Sequence, residues 1–592
     1  NDWHKPCNWD LGRVPTCNDT VYIPSVSTSY PVISGIAHSK EINITTGAPN
    51  ALTINSGARL DISSGGGSCS GTPTDNSGTL SPPVKIQGNK YSCNGDRVVW
   101  KAPHPTGQTW TWQYPPSWSF VHQSGDSIVL VPRGNGQVKV TVCDNNCNCA
   151  SDSITLTLSS CSPMCFSIGV SGSNKVEGGH GIIQTKDGSI VMVGETNSFG
   201  NNKDMYVVKL DLNGNVLWTK VIGGPNTDVA YQVKEDNSGN LVIVGYTYSN
   251  THGLDDIAVL KLAPNGNVLW AKAVGTPARE TAYGLWIDNN DDIYIAGYHY
   301  NNTNPNGYEA LILKISPSGN IIWSTTVGKS GFEEARTLCV KGTEVYVGGT
   351  TSSVGSGKYD LLIMRLNKSS GNLVWSKTYG SADFDYMYTI VPFGNDLLLG
   401  AAIDSPLRGT IIQFTTAGTP TKRIWMANST MNIHVKEIVS TGDGGVAAVA
   451  IVRSTFGGIY PYLITKFNAS LSLQWQHTVG NYASSSQPYH MLSYYGNSIT
   501  IIGNNLLGVT TFLTNPSSST TDWNMTLTTV DWTTPTFPSC SQCQQNNPNY
   551  TIANISPGTF RSWSFNSQSI SLSIKNWAPS VSSGGTPILH CN

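Results

Sequence analysis

The sequence is poor in charge. Only 12% of its 592 residues are Asp, Glu, Lys or Arg, about half the usual share, and 35 basic against 37 acidic side chains leave a formal net charge of −2. No basic field is available to hold nucleic acid or anionic lipid, so polyanion partners are excluded. No run of eighteen apolar residues occurs, which excludes a helical membrane span. The chain opens at Asn1 with neither an initiator Met nor a charged-then-apolar leader, and the expectation is a mature secreted protein whose leader has been removed. Catalytic grammar is scarce as well. There is no Gly-x-Ser-x-Gly elbow, and residues 355–358 imitate a phosphate loop only weakly because Tyr359 follows the lysine. The eleven histidines are scattered, with no His-x-x-x-His pair.

What is abundant is a period. An aromatic residue recurs at Phe166, Trp218, Trp270, Trp323, Trp375, Trp425, Trp475 and Trp523, at separations of 52, 52, 53, 52, 50, 50 and 48 residues. A repeat near 50 residues built of short apolar strands means a β-propeller, because one small sheet cannot bury both faces alone and must stack on its neighbours. Each unit reads as four strands, with a Gly-Asn turn before the tryptophan strand (Gly214, Gly266, Gly319, Gly371). A glycine ends each second strand, at Gly194, Gly245, Gly297, Gly348, Gly400 and Gly503, with Ala450 once in its place; a small residue there suits close approach of neighbouring sheets. There are seven second strands but eight aromatic strands. The expected ring therefore has seven blades, with the Phe166 strand joining the last blade beside or in place of the Trp523 strand, since closure removes exposed edges.

The repeats, with their pattern GNVLW, a following Gly, an acid, then DG or NG before a VxVG strand, resemble SBBP-type propeller repeats over most of residues 161–530. Two propeller enzyme classes with tryptophan-bearing repeats, quinone-dependent dehydrogenases and sialidases, are disfavoured because vicinal cysteines and Asp-boxes are absent. Five acids, Glu177, Asp228, Glu280, Glu333 and Asp385, recur with the same period just before an inner strand. Facing the channel unpaired, they would suit a cation such as calcium; the favoured alternative is that each holds loop backbone and ties the ring together. Residues 288–292, DNNDD, lack the spacing of a calcium loop and read as a hairpin turn.

Outside the repeats the chain divides into a β-rich module at 1–65, a Gly/Ser/Pro linker at 66–83, a module at 84–160 and a β-rich segment at 531–592. The NWDLGRVPTCND stretch near the start resembles the opening of N-terminal modules in secreted Bacteroidetes proteins. Cys93, Trp100, Trp110, Trp112 and Cys143 together resemble a PKD-like domain, which implies an immunoglobulin-type sandwich. Its tryptophans are expected in the core, with Tyr114 and Trp118 as the alternative, exposed and stacking on sugar. The fold class is all-β throughout. Twelve of thirteen cysteines lie outside the central repeats. Cys7, Cys17, Cys93, Cys143, Cys147, Cys149, Cys161, Cys165, Cys540 and Cys543 are the disulfide candidates, which suits an oxidising compartment; zinc is the competing reading but lacks histidines at finger-like spacing. Cys339 alone reads as a buried free thiol. No metal and no cofactor is expected.

The short strands of 531–592 lack a partner sheet of their own, so they must pair with the propeller, the N-terminal modules or another copy. The expectation is a secreted, non-catalytic structural protein that self-associates through its terminal modules as a fibre or surface layer. A carbohydrate-binding adhesin that holds a surface glycan is the alternative, and a propeller hydrolase or oxidoreductase the third.

Overall fold

The computed structural model describes residues 83–532, except for several segments of which 480–497 is the longest, and beyond that span the backbones of short strands. The described chain is all-β and separates into two units, 1–158 and 159–592.

The first unit holds two kinds of sheet. Near its start, Thr20–Ile23 pairs in parallel with Glu41–Ile44, Val32–Ile33 with Thr53–Ile54, and Ile36–Ser39 with Arg59–Ile62. Partners lie 21 to 23 residues apart (Thr20 with Glu41, Ile36 with Arg59), as when one turn of a β-solenoid stacks on the next. Farther on, two four-stranded sheets share one core. In one the order is Thr109–Gln113, Gly136–Cys143, Cys149–Ser159, Tyr91–Cys93, and in the other Ser119–Ser124, Ser127–Val131, Val98–Lys101, Gln87–Gly88. Strict alternation buries Val138, Val140 and Val142 from the first against Val98, Trp100, Ile128 and Leu130 from the second. Trp118 belongs to this core. It is buried, it stacks on Trp100 at 5.9 Å, and its indole Nε1 donates to the Gly134 carbonyl. The sugar-stacking alternative for Trp118 is therefore overturned, and Tyr114 packs against the same core. Cys143 bonds to Cys149, its register partner across a hairpin. The side chains of the other disulfide candidates, Cys7, Cys17, Cys93, Cys147, Cys161, Cys165, Cys540 and Cys543, lie outside the described residues.

Among the described residues of the second unit seven antiparallel sheets follow one another, a β-propeller arrangement. The first runs Glu177–Gln184, Ile190–Thr196, Asp204–Leu210, Val216–Gly223, and five more repeat that order. The second and third strands, such as Ile190–Thr196 and Asp256–Leu262, are buried along their length, as near-continuous apolar runs must be when both faces meet a neighbour. First strands touch first strands all the way round, and Glu177–Gln184 also touches Ser498–Ile502 of the last sheet. That last sheet takes its outer strand from the start of the unit: Cys165–Ile168 pairs with Trp523–Asp531, beside it and not instead of it.

The C-terminal strands pair with this same unit. Gln545–Asn546, Thr551–Ile555, Arg561–Ser562, Asn566–Ser569, Ser573–Asn576 and Ser580–Ser582 each add a fifth strand to the outer edge of one sheet, and they visit six sheets in reverse order. Their partners are in their own chain, so these strands give no reason for strand addition to another copy.

In the first four sheets the recurrent glycine is required by its own blade, whereas Ala401 and Ala450 hold the equivalent register position in the fifth and sixth. A Cβ on Gly194, Gly245, Gly297 or Gly349 would lie 1.6 to 1.9 Å from a first-strand carbonyl oxygen. The expected contact between neighbouring sheets holds instead for Gly348 and Gly400, whose Cβ positions meet Met387 and Val435. In the fourth sheet the equivalent of Gly194 is thus Gly349, not Gly348.

Candidate functional site

Two of the periodic features are structural. Three fourth-strand tryptophans reach the end of the third strand of the next sheet: Trp218 Nε1 donates to Pro264 O at 3.2 Å and Trp323 Nε1 to Lys368 O at 3.2 Å, both in 3–4 turns, and Trp475 Nε1 to Trp532 O at 3.1 Å, just past Trp523–Asp531. The turn glycines Gly266, Gly319, Gly371 and Gly418, all at positive φ, lie against Trp218, Trp270, Trp323 and Trp375. Trp425 carries the Arg408 guanidinium 4.1 Å above its ring. Of Phe166 and Trp523 the strands are described and the side chains are not.

The five acids are fully buried, and none lines the central cavity. Each carboxylate gathers donors from the loops of its own repeat. Glu177 accepts from Thr196 at 3.1 Å and from Ser198. Asp228 accepts from Gly224 N at 2.8 Å and Ser249 Oγ at 2.6 Å. Glu280 takes Thr276 and His299 Nδ1, Glu333 takes Lys329 N and Thr351, and Asp385 takes Ser381 and Asp404 N. A buried carboxylate needs such donors. The channel-facing cation site is accordingly corrected, and among the described residues no group of three His, Cys, Asp or Glu is placed to hold a metal ion. Close acid pairs raise pKa here: burial, then the Asp228 charge, pushes Asp204 up to about 6. Burial likewise lifts Asp385 to about 6, with Asp360 adding to it against several hydrogen bonds.

The channel is lined by a different residue of the same repeat. The first strands of the first six sheets carry a one-residue bulge, three positions after the acid in the first five, and the bulged residues are His180, Tyr231, Tyr283, Arg336, Tyr388 and, in the sixth sheet, Lys436. A bulge turns its extra residue out of the ladder. All six line one cavity of about 120 Å³, together with Lys234, Trp286 and Glu437. In the sixth sheet Ile433 stands where the acid would be. The bulged residues also touch one another: Tyr231 lies 5.2 Å from His180 and 5.5 Å from Tyr283, the Arg336 guanidinium lies 5.4 Å from the Tyr283 centroid and 5.7 Å from that of Tyr388, and Lys436 Nζ stands 3.7 Å over Tyr388. The Tyr388 hydroxyl is 2.9 Å from His434 Nδ1.

Aromatic rings continue from this layer across the end of the ring where first strands begin. Tyr283 contacts Tyr298, Tyr298 contacts Tyr308, and the series goes on through Phe332, Tyr359 and Tyr386 to His434, at centroid separations of 5.1 to 6.4 Å. Most of these rings are half-buried, and Phe384 beside them is exposed. On the first sheet burial pushes the Glu195 carboxyl up, but His180 and Lys203, 2.8 Å away, outweigh it and hold it down to about 2. The reading from sequence missed this layer although its signal is the same period, the residue three after each acid.

Residues 185–216 match the family model described as a domain of unknown function (DUF5122) beta-propeller. No curated protein matches the chain. Among solved structures, a protein of unknown function from Dyadobacter fermentans aligns at 11% identity over 62% of this chain and 98% of its own, with a TM-score of 0.38. A polysaccharide lyase of family PL25, an ulvan lyase bound to a GlcA(1-4)Rha3S unit, aligns at 10% identity over 61% and 95%, with a TM-score of 0.37. The Synechocystis apocarotenoid oxygenase aligns at 11% over 70% and 96%, with a TM-score of 0.33.

Proposed function

We propose that this chain is a secreted, non-catalytic carbohydrate-binding protein, a seven-bladed propeller preceded by an N-terminal β module and a PKD-like, immunoglobulin-type sandwich. The observation that carries the reading is the run of half-buried aromatic rings between His180 and His434, opening onto the channel layer. The C–H faces of a sugar stack on such rings while its hydroxyls hydrogen-bond phenolic oxygens and charged groups beside them. Self-assembly as a fibre loses its motive, because the C-terminal strands that called for a partner find one within the propeller. The test is the full chain on an array of neutral and acidic glycans, with Tyr283→Ala and Tyr388→Ala beside it. Binding that both variants weaken supports the reading; an array without hits removes it.

A second reading, an enzyme acting on the same saccharide, draws on the Tyr388–His434 hydrogen bond, a couple able to pass a proton. Product analysis after incubation with a bound glycan decides between the two: shortened chains support the enzyme, and unchanged chains leave the binding module.

A further inference from the structure

The channel layer also carries a charge signature that bears on the class of sugar, an inference that rests on the saccharide-binding reading. Among the described residues lining the cavity are three cations, Lys234, Arg336 and Lys436, against one carboxylate, Glu437, with Glu334 paired to Arg336 beside it. Glu437 accepts a hydrogen bond from Ile499 N at 3.1 Å, and burial pushes its carboxyl up while the Lys234 charge pulls it down. Arg336 and Lys436 both lie against Tyr388, and Arg336 lies against Tyr283 as well. Ring faces attract cations and hold them in place, and the Arg336 Nε donates to Glu334, which fixes the plane of the guanidinium. A planar guanidinium beside an ammonium matches the oxygens of a carboxylate or a sulfate.

We propose that the channel takes a saccharide bearing an anionic group, with the carboxylate or sulfate on Arg336 and Lys436 and the sugar ring against Tyr283 and Tyr388. The neutral rings supply area and the two cations supply selection. The exclusion of polyanion partners drawn from the net charge of −2 is narrowed by this proposal, since cations gathered in one cavity can select an anionic group without a basic field over the whole surface.

Calorimetric titration of the full chain tests it with three probes of equal length: a galacturonate oligomer, a sulfated galactose oligomer and a neutral galactose oligomer. At least one anionic oligomer is expected to bind about tenfold or more tightly than the neutral one, the size of effect a charged hydrogen bond gives, and added salt is expected to weaken the anionic ligand selectively. Which anion binds distinguishes uronate from sulfate. Arg336→Gln and Lys436→Gln are each expected to lower the anionic affinity about tenfold and the neutral affinity by much less, since glutamine keeps a hydrogen-bonding group for sugar hydroxyls and loses only the charge. Thermal unfolding checks both variants, and if Arg336→Gln is unfolded, Lys436→Gln decides. Equal affinity for neutral and anionic oligomers, or variants that bind like the parent, overturns the anion proposal and leaves the saccharide reading standing. Failure of all three probes, with an array lacking hits, overturns both.

Discussion

Trp323 and Gly371 belong to neighbouring sheets and meet face to face: the indole Nε1 donates to Lys368 O at 3.2 Å, and a Cβ on Gly371 would fall 2.6 Å from the indole ring. Gly371 holds φ at 73°, where glycine is favoured. One contact thus explains why the repeat keeps both a tryptophan and a turn glycine. Trp323→Ala removes packing between two sheets together with one hydrogen bond, and a loss of about 3 kcal/mol is expected. Denaturant unfolding of the full chain checks it; a loss well under about 1 kcal/mol counts against the contact as a brace.

Truncation before residue 545 uncovers the outer edges of six sheets. Unpaired edges invite pairing with other chains, so the shortened protein is expected to unfold at lower temperature and to aggregate at concentrations where the full chain stays dispersed. Light scattering and calorimetry read both. A truncated protein with an unchanged midpoint and no aggregation would remove the belt from the list of stabilising features.

Asp204 gives a pH signature. Its folded-state pKa is raised to about 6 from the ordinary carboxylate range, by burial and by Asp228. A raised carboxyl contributes stability that is fully present below its unfolded value and is lost as pH rises through about 6. Asp204→Asn is therefore expected to be neutral at about pH 4 and stabilising at about pH 8, by about 1 kcal/mol after allowance for its partial exposure. Unfolding at the two pH values checks the sign; equal effects at both contradict the assignment.

Cys339 is buried in the fourth sheet with no disulfide partner, and burial pushes its thiol up. A neutral, enclosed thiol does not react. The native protein is expected to leave Cys339 unmodified by iodoacetamide and to expose it on unfolding, as peptide mass mapping shows. Modification in the native state at the rate of a free thiol would contradict its enclosure.

What could be read from residues alone follows from how uniformly each blade states its needs. The tryptophan, the turn glycine and, in the first five sheets, the buried acid recur because successive blades meet the same backbone demand, and a recurring demand keeps one residue type. The channel layer obeys the same period but varies in chemistry, from His180 to Tyr231 to Arg336 to Lys436, so no single residue type announced it. The acids were visible but their direction was not, because spacing cannot tell a side chain turned to the channel from one gathered into a loop. The C-terminal strands are two to five residues long, too short for alternation to indicate which sheet they join. The parallel pairing near residue 20 has a period that occurs only once, and a single repetition does not stand out as a period.

Ser582 pairs with Val221 of the first sheet, whereas Gln545 pairs with Val479 of the sixth. During synthesis, then, the first propeller sheet to emerge receives the last of the fifth strands. The ribosome must release the chain through Ser582 before the outermost edge of that sheet is covered, and a similar delay applies to Cys165–Ile168, whose partner strand ends at Asp531. Contacts so distant along the chain slow assembly, and a nascent chain arrested midway would present open strand edges to whatever chaperones attend it.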